Sequence, residues 1–414
     1  RQAGGTRIIN MNRERVNFLF LNLGHFYDHL FMLLFATVAA LTLSNEMGLS
    51  YAELIPYAVP GFVAFGAGAV PAGWLADRWS RPGMLIIFFI GIGLSSALAS
   101  LARTPLEIGA GLFLIGIFAS IYHPVGIAMV VEGREKTGVP LAINGIFGNM
   151  GVATAALLAG VLIDFAGWRA AFLVPAAAAV ATGLAYAAFR FAGREADQGQ
   201  AAQGTAGGAA ETGLPGRRVL LWVFSIIFFS TACGSLIFQA TTFSLPKFFD
   251  ERLADLANNA TQIGSWAFVV FTIAAFAQLP VGHLIDRYSI RTVFAVVVGL
   301  QVPMFLLIVN LSGAPALIVS VAFMLLVFGQ IPINDALLAR FSKSSWRSRV
   351  YSFKYILTFT ISATAVPMIA LLHKTGGFAA LFSIIAAVAG VMFLVVLLLP
   401  RDGLTTAPGL ATQQ

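Results

Sequence analysis

The sequence is poor in charge and almost free of cysteine. Asp, Glu, Lys and Arg together make up 10% of the 414 residues, whereas soluble domains carry about 25%. So few charged residues could not cover a water-exposed surface, which excludes a soluble enzyme and a nucleic-acid-binding module. The single cysteine, Cys233, excludes an internal disulfide framework. Hydrophobic residues make up 58% of the chain and the mean hydropathy is +0.86, which indicates an integral membrane protein.

The sequence also lacks the short motifs of ATP-driven and hydrolytic proteins. It contains no G-x-x-x-x-G-K-[ST] phosphate-binding loop, no G-x-S-x-G nucleophile turn and no H-E-x-x-H zinc motif. Its longest polar segment, residues 193–218, is too short to bury a catalytic core. We therefore expect neither an enzyme nor a bound cofactor.

The apolar residues fall into runs long enough to cross a bilayer as helices. A membrane-spanning helix needs about 20 mostly apolar residues. Breaking the runs at Gly, Pro and charge clusters predicts twelve spans, at about 17–43, 51–76, 83–102, 105–131, 138–163, 168–190, 219–246, 260–285, 292–311, 315–339, 349–372 and 378–399. The predicted fold class is therefore all-α, a polytopic membrane protein of twelve transmembrane helices.

One polar segment rich in Gly, Ala and Gln divides these runs into two groups of six, and its composition is typical of a flexible linker. The predicted organisation is an N-terminal tail (1–16), a first six-helix half (17–192), a linker (193–218), a second six-helix half (219–400) and a C-terminal tail (401–414).

The basic residues are distributed unevenly across the predicted membrane. Of 25 Lys and Arg residues, 19 fall on one side and 5 on the other, and Lys354 lies inside a span. The positive-inside rule then places both termini and the linker in the cytoplasm. We expect a monomeric multi-pass protein of the cell membrane, in a bacterial inner membrane, whose partners are the lipid bilayer and small solutes and not nucleic acid.

Two predicted loops are copies of one another. The loop after the second span reads PAGWLADRWSR over residues 71–81, and the loop after the eighth reads PVGHLIDRYSIR over residues 280–291. At a constant offset of 209 residues, Pro, Gly, Leu, Asp, Arg, an aromatic residue and Ser recur in register. Seven matches at equivalent places in two six-helix halves indicate an internal duplication.

This loop resembles the G-x-L-x-D-R-x-x-R loop of the major facilitator superfamily. The resemblance implies two halves related by an axis along the membrane normal, with solute bound between them near the midplane. It implies a secondary transporter that works by alternating access, and it implies that the loops bias the equilibrium between inward-open and outward-open states. The loop residues concerned are Gly73, Asp77, Arg78 and Arg81 in the first copy and Gly282, Asp286, Arg287 and Arg291 in the second.

Three shorter motifs resemble the fosmidomycin-resistance branch of drug exporters. They are GHFYD at 24–28, YHP at 122–124 and GNMG at 148–151. The Gly-Pro pair that often follows in that branch, and that is tied to drug–proton antiport, is replaced here by Ala155 and Ala156. The resemblance favours efflux of a small organic solute, as by a proton antiporter, although the alanine pair departs from the antiporter pattern.

Asp28 lies deep within the first predicted span. Its position, about eleven residues into the helix, corresponds to a depth of about 16 Å in a hydrocarbon core about 30 Å thick. An ionisable group there costs about 2.5–3.5 kcal/mol and normally faces a cavity or a partner. His25 and His29 lie on the same helix face, and His123 lies midway along the fourth span. Because imidazole exchanges protons near neutral pH, we expect these four residues to couple transport to protons.

The residues alone leave two other roles open for this group. Imidazole and carboxylate at helical spacing can also ligate a divalent transition metal, so a metal transporter using His25, Asp28, His29 and His123 is the alternative. The same side chains could also do no more than bond to one another and fix helix packing.

The second half contributes a different set of polar residues to its predicted spans. The expected solute contacts are Gln239, Gln330, Asn334, Asp335 and Lys354. Asp335 and Lys354 lie at similar depth, each about 7 Å from the predicted cytoplasmic side of the membrane. They could form an ion pair, or Lys354 could extend to the headgroups.

Overall fold

The computed structural model describes residues 2–134, 137–192, 217–342 and 347–400. The predicted C-terminal tail and residues 193–216 of the predicted linker lie outside these ranges. Within them every regular element is a helix, and no strand is present. The expectation of an all-α protein is confirmed.

Nine α-helices are described before residue 192. They are α1 (Gln2–Val38), α2 (Ser44–Glu46), α3 (Tyr51–Leu54), α4 (Val59–Arg78), α5 (Arg81–Ser100), α6 (Pro105–Ala119), α7 (Tyr122–Val131), α8 (Gly138–Ala166) and α9 (Trp168–Phe191). A π-helical turn at Ala39–Leu43 joins α1 to α2, and a 3₁₀ turn at Ile55–Ala58 joins α3 to α4. Each pair forms one longer rod.

Seven further helices are described after residue 216. They are α10 (Arg217–Arg252), α11 (Ala260–Phe276), α12 (Gln278–Arg287), α13 (Ile290–Ile308), α14 (Gly313–Gly329), α15 (Ile331–Phe341) and α16 (Arg347–Val396). Side-chain hydroxyl groups cap the first turns of several helices. The hydroxyl of Ser80 accepts the Gly83 N–H at the start of α5, and Thr104 accepts the Glu107 N–H at the start of α6.

Eleven of the described rods are long and apolar enough to cross a membrane. The last, α16, is 50 residues long and contains non-helical backbone at Gly376 and Gly377. Gly377 has a φ of 60°, a conformation that favours glycine because it has no Cβ. At 1.5 Å per residue such a rod would far exceed a core about 30 Å thick. The break divides it into the two final spans that the sequence predicts.

The chain forms two compact units. The first takes its described residues from 1–207 together with Asn258–Phe268, and the second from 208–257 and 269–414. The segment Asn258–Phe268, which begins α11, belongs to the first unit because α8 holds it. The Asp164 carboxylate accepts the N–H groups of Ala260 and Thr261, at 3.3 and 2.7 Å, and so caps α11.

Within the first unit, glycines bring helix backbones into direct contact. A Cβ built on Gly116 of α6 would lie 2.0 Å from the Gly61 carbonyl oxygen of α4. A Cβ on Gly151 of α8 would lie 2.2 Å from the Phe26 carbonyl oxygen of α1. Small residues of this kind are what membrane helices use to approach closely. The pairs α4–α6 and α1–α8 are therefore packed backbone to backbone.

The fourth and tenth spans are each broken at corresponding places. The fourth changes from α6 to α7 at Ser120 and Ile121, and the tenth changes from α14 to α15 at Gln330. Pro124 follows the first break and Pro332 the second, and proline removes a helix N–H donor. Ser120, Ile121 and Gln330 keep helical backbone angles, so each break is a local change in hydrogen bonding next to His123 or Gln330 and not an unwound segment.

Candidate functional site

In the first unit, four polar residues predicted to act together do lie together. Helix α1 places His25, Asp28 and His29 beside α7, which carries His123. His123 Nε2 lies 3.2 Å from Asp28 Oδ2, and the Asp28 side chain is 0% exposed. We call this group the His–Asp cluster.

The three imidazoles of the cluster face one another. The centroid of the His25 ring lies 5.0 Å from that of His29 and 5.3 Å from that of His123, and His29 lies 5.6 Å from His123. One ring nitrogen from each residue can be chosen so that all three lie within 4.8 Å of one another. Protons or a cation could therefore be shared among them.

His25 is held in a fixed orientation. Its Nδ1 lies 2.8 Å from the Asn144 carbonyl oxygen on α8, so Nδ1 carries the hydrogen of a neutral ring and Nε2 is free to accept a proton or a metal. A Cβ built on Gly148 would lie 2.6 to 2.8 Å from Nε2, Cε1 and Cδ2. These similar distances place Gly148 over the face of the ring. The ring of Tyr122 stacks on it at 5.0 Å.

A buried hydrogen-bond network beneath His25 fixes α1 against α7 and α8. The Tyr122 hydroxyl donates to the Leu21 carbonyl oxygen at 2.7 Å. The Asn144 amide donates to the Tyr122 oxygen at 2.8 Å and to Asn22 Oδ1 at 3.0 Å. Asn22 and the Tyr122 hydroxyl are absent from the predicted set of functional residues. Asn22 could have been found from its spacing, because it precedes His25 by three residues and so shares its helix face.

Asp28 is incompletely satisfied. Its Oδ1 is buried and has no hydrogen-bond partner among the residues that the structure describes. Buried polar atoms are nearly always bonded, so an orphan oxygen needs an explanation. A proton on the carboxyl group, or a cation beside it, would supply one.

The second unit places Lys354 against Asp335. The Lys354 ammonium contacts Asp335 Oδ1 and lies 5.5 Å from the Tyr355 ring centroid. Of the two possibilities left by the sequence, the structure has the ion pair. The Lys354 side chain is 12% exposed and that of Asp335 is 42% exposed.

Buried amides lie on neighbouring helices of this unit. The Gln301 side chain on α13 donates to Gln330 Oε1 at 3.1 Å, and Gln330 Nε2 lies 3.4 Å from the Met392 sulfur. Gln239 Nε2 and Asn334 Oδ1 are buried without a hydrogen-bond partner in the described part of the chain. Gln301 is absent from the predicted set, although an amide inside an apolar run is itself a signal.

The two copies of the repeated loop differ in their contacts. In the first, Arg81 bonds to Asp77 at 2.9 Å and to Glu132 at 3.3 Å, while Arg78 lies 4.3 Å from the ring of Trp74. Gly73 lets α4 approach α7, since its Cβ would lie 3.2 Å from Pro124. We call Asp77, Arg81 and Glu132 the loop network.

The second copy cannot form the same network. At the offset of 209 residues, Ile290 occupies the place of Arg81 and Phe341 the place of Glu132. Arg291 bonds instead to the Leu397 carbonyl oxygen. Asp286 and Arg287 are exposed, and a Cβ on Gly282 would meet no atom within 4 Å among the described residues. The sequence repeat therefore overstates the similarity of the two loops.

The family follows from comparison with known proteins. A family model described as "Major Facilitator Superfamily" matches residues 21–254 and 252–413. The chain belongs to this superfamily. The resemblance of the repeated loops is thereby confirmed.

Curated relatives of this superfamily member match it over part of their length. It is 31% identical to a gallate transporter of Pseudomonas putida over 134 residues, 32% of the chain and 30% of the relative. It is 26% identical to a probable sulfoacetate transporter of Cupriavidus necator over 230 residues, 52% of each. A puromycin resistance protein of Streptomyces alboniger is 28% identical over 111 residues, 26% of the chain and 22% of the relative. The chain thus spans about half or less of each relative.

Solved structures with the same fold cover nearly the whole superfamily member. A bacterial homologue of the human lysosomal transporter Spinster has a TM-score of 0.74 at 14% identity and covers 96% of this chain and 99% of its own. A POT family transporter in complex with 5-aminolevulinic acid has a TM-score of 0.70 at 14% identity, with 93% and 95% covered. These neighbours are transporters and not enzymes.

The loop network of this superfamily member gives a first prediction. Asp77→Asn removes an exposed ion pair, and such pairs contribute about 0–1 kcal/mol to stability, so we expect the melting temperature to change little. If the loop biases the equilibrium between states, as the family resemblance implies, we expect solute turnover to fall several-fold and by more than solute affinity. Asp286→Asn is the matched control and should have a smaller effect, since Ile290 cannot pair with Asp286. Equal losses in both variants, or a loss of affinity in Asp77→Asn as large as the loss of turnover, would contradict this assignment.

Proposed function

We propose that this chain is a proton-coupled secondary transporter that moves a small organic solute by alternating access. One observation carries the proposal. Asp28 is a fully buried carboxyl group with an orphan oxygen, and it lies 3.2 Å from an imidazole. A buried carboxylate without a cation is costly, whereas a protonated one is neutral. Loading and releasing a proton there would change the charge that the first unit must carry through the membrane.

We propose export as the direction of transport. The relative named for puromycin resistance supports this direction. The other two relatives are named for gallate and sulfoacetate, which are small organic solutes, and they support the size and chemistry of the cargo. In this proposal the His–Asp cluster handles protons, and Gln239, Gln330, Asn334, Asp335 and Lys354 contact solute.

Flux measurements in proteoliposomes test the proposal. The purified chain would be reconstituted, and radiolabelled gallate, sulfoacetate and puromycin would be offered with and without an imposed pH gradient. We expect one of these solutes to accumulate against its own gradient only when the proton gradient is present, and a protonophore to abolish the accumulation. Protein-free liposomes are the control. Transport that is indifferent to pH gradient and protonophore would reject proton coupling, and comparison of everted with right-side-out vesicles gives the direction.

A second candidate function is the transport of a divalent transition metal. The observation that favours it is the set of three imidazole nitrogens within 4.8 Å of one another, next to a carboxylate that could complete a ligand set. Elemental analysis of protein equilibrated with Zn²⁺ distinguishes the two. A stoichiometric metal that is lost in His123→Ala, and retained in the exposed-site control His283→Ala, would replace the proton proposal with this one.

A further inference from the structure

A groove runs along the surface of the second unit, between α13 and the last part of α16. Its volume is about 1030 Å³. Its walls include Val296 and Leu300 of α13 and Leu394 of α16, and all three of these apolar side chains are exposed. Exposed apolar side chains at membrane depth face hydrocarbon chains and not water. We call this feature the α13–α16 groove.

Two glycines shape the groove. A Cβ built on Gly299 would lie 3.0 Å from Cε2 of Phe393, so α13 and α16 approach closely there. A Cβ on Gly390 would meet no atom within 4 Å among the described residues, so the space beside it is open. From Arg291 to Pro303 the groove follows α13 for about 18 Å at 1.5 Å per residue. Half of a hydrocarbon core about 30 Å thick is slightly less, so the groove has the length of one leaflet.

One end of the groove is basic. Among the described residues that line it, Arg291 is the one that carries a charge, and Ser289 and Thr292 add hydroxyl groups beside it. Arg291 Nη2 donates to the Leu397 carbonyl oxygen, which holds the cation at the end of the groove. A guanidinium has further N–H groups that can donate to an anion.

Two exposed aromatic residues lie at the same level as this basic end. Trp222 of α10 donates its indole N–H to the Leu398 carbonyl oxygen at 3.4 Å, next to the carbonyl group that holds Arg291. Tyr288 directly precedes Ser289. Trp and Tyr are enriched where a membrane meets water. The basic end is therefore at the depth of the lipid headgroups, on the predicted cytoplasmic side, where basic pockets between helices bind anionic headgroups.

We propose that the α13–α16 groove binds an anionic phospholipid. Its phosphate accepts hydrogen bonds from Arg291 and the neighbouring hydroxyl groups, and one acyl chain lies along the groove past Leu300 and Gly390. A zwitterionic lipid also brings an ammonium group, whose repulsion from Arg291 offsets the attraction of the phosphate. None of the residues assigned above to protons or solute lines this groove, so the proposal does not depend on the proposed function.

Native mass spectrometry of the purified full chain tests the site. Phosphatidylglycerol and phosphatidylcholine with identical acyl chains would be added in equal amounts. We expect the first phosphatidylglycerol to bind about fivefold more tightly than phosphatidylcholine. Arg291→Gln should bring the two lipids to equal affinity, and Arg291→Lys should keep most of the preference. Gly390→Leu should remove the tight phosphatidylglycerol site, because its side chain fills the groove without a backbone clash.

Two matched controls separate the site from general effects. Arg15→Gln removes an exposed arginine on the same predicted side of the membrane, and Gly145→Leu makes the same change at another glycine with open space. Both should keep the wild-type preference. Glycerol 3-phosphate, which has the phosphate but no acyl chain, should not displace phosphatidylglycerol.

Arg291→Gln and Gly390→Leu test the headgroup and the acyl chain independently, so misfolding of one variant leaves the other decisive. Equal binding of the two lipids to the wild type overturns the proposal. So does a preference that persists in either variant when it is folded, or displacement by glycerol 3-phosphate. A dimer that Gly390→Leu converts to a monomer would assign the groove to a second copy of the chain and would also overturn it.

Discussion

Asp28→Asn is expected to reduce solute accumulation driven by a pH gradient at least tenfold, while solute-for-solute exchange continues. The variant keeps the size and polarity of the side chain but cannot bind or release a proton. Because Asp28 is fully buried and lies 3.2 Å from His123, removing its charge does not leave an isolated anion in the membrane. We therefore expect the protein to express and fold. Accumulation and counterflow in proteoliposomes measure the two activities separately.

Asp250→Asn makes the same chemical change at an exposed site, where the carboxylate pairs with Lys247, and should accumulate solute normally. His123→Ala should shift the pH at which accumulation is half-maximal, since the imidazole contacts the coupling carboxyl group. An Asp28→Asn protein that is well folded and retains the wild-type pH profile would move the coupling site elsewhere, with Asp335 the next candidate.

Gly151→Ala is expected to cause a large loss of stability. The added Cβ would lie 2.2 Å from the Phe26 carbonyl oxygen and 3.2 Å from the Leu30 nitrogen. Both atoms belong to the backbone of α1, so the clash cannot be relieved by a rotamer change. Overpacking typically costs about 1–3 kcal/mol, and here α1 must move away from α8. We expect a melting temperature lower by several degrees in detergent, followed by tryptophan fluorescence.

Gly145→Ala on the same helix is the matched control, because a Cβ there meets no atom within 4 Å among the described residues. It should melt near the wild-type temperature. A Gly151→Ala protein as stable as Gly145→Ala would show that α1 and α8 are not in backbone contact at this place.

Composition and the lengths of the apolar runs were sufficient to predict the membrane-spanning helices. The predicted break between the last two spans falls at Gly376 and Gly377 because glycine alone adopts the required backbone easily. Helical spacing places His25, Asp28 and His29 on one face, whereas His123 could be added to them only because the family resemblance implies that the first and fourth helices of each half line one cavity.

What the sequence did not reveal depends on how helices face one another. The bonds of Tyr122 to Leu21 and of Gln301 to Gln330 join residues 101 and 29 positions apart, and periodicity within one helix contains no information about such pairs. Glu132 was missed for the same reason, since its partner Arg81 is 51 residues away. The asymmetry of the two loops, by contrast, was visible in the sequence: Arg291 stands one position later than the register of Arg81 requires.

The backbone contact at Gly151 has a mechanical consequence. Because the backbones of α1 and α8 touch at this place, side-chain rotamer changes cannot let the two helices slide past one another. They therefore move as one rigid pair that carries His25, Asp28 and Asn144 together. His123 follows Tyr122, whose hydroxyl donates to the Leu21 carbonyl oxygen of α1 and accepts from the Asn144 amide of α8. The segment that carries His123 is therefore tied to both helices, so a movement of α1 and α8 carries His123 and Asp28 with it.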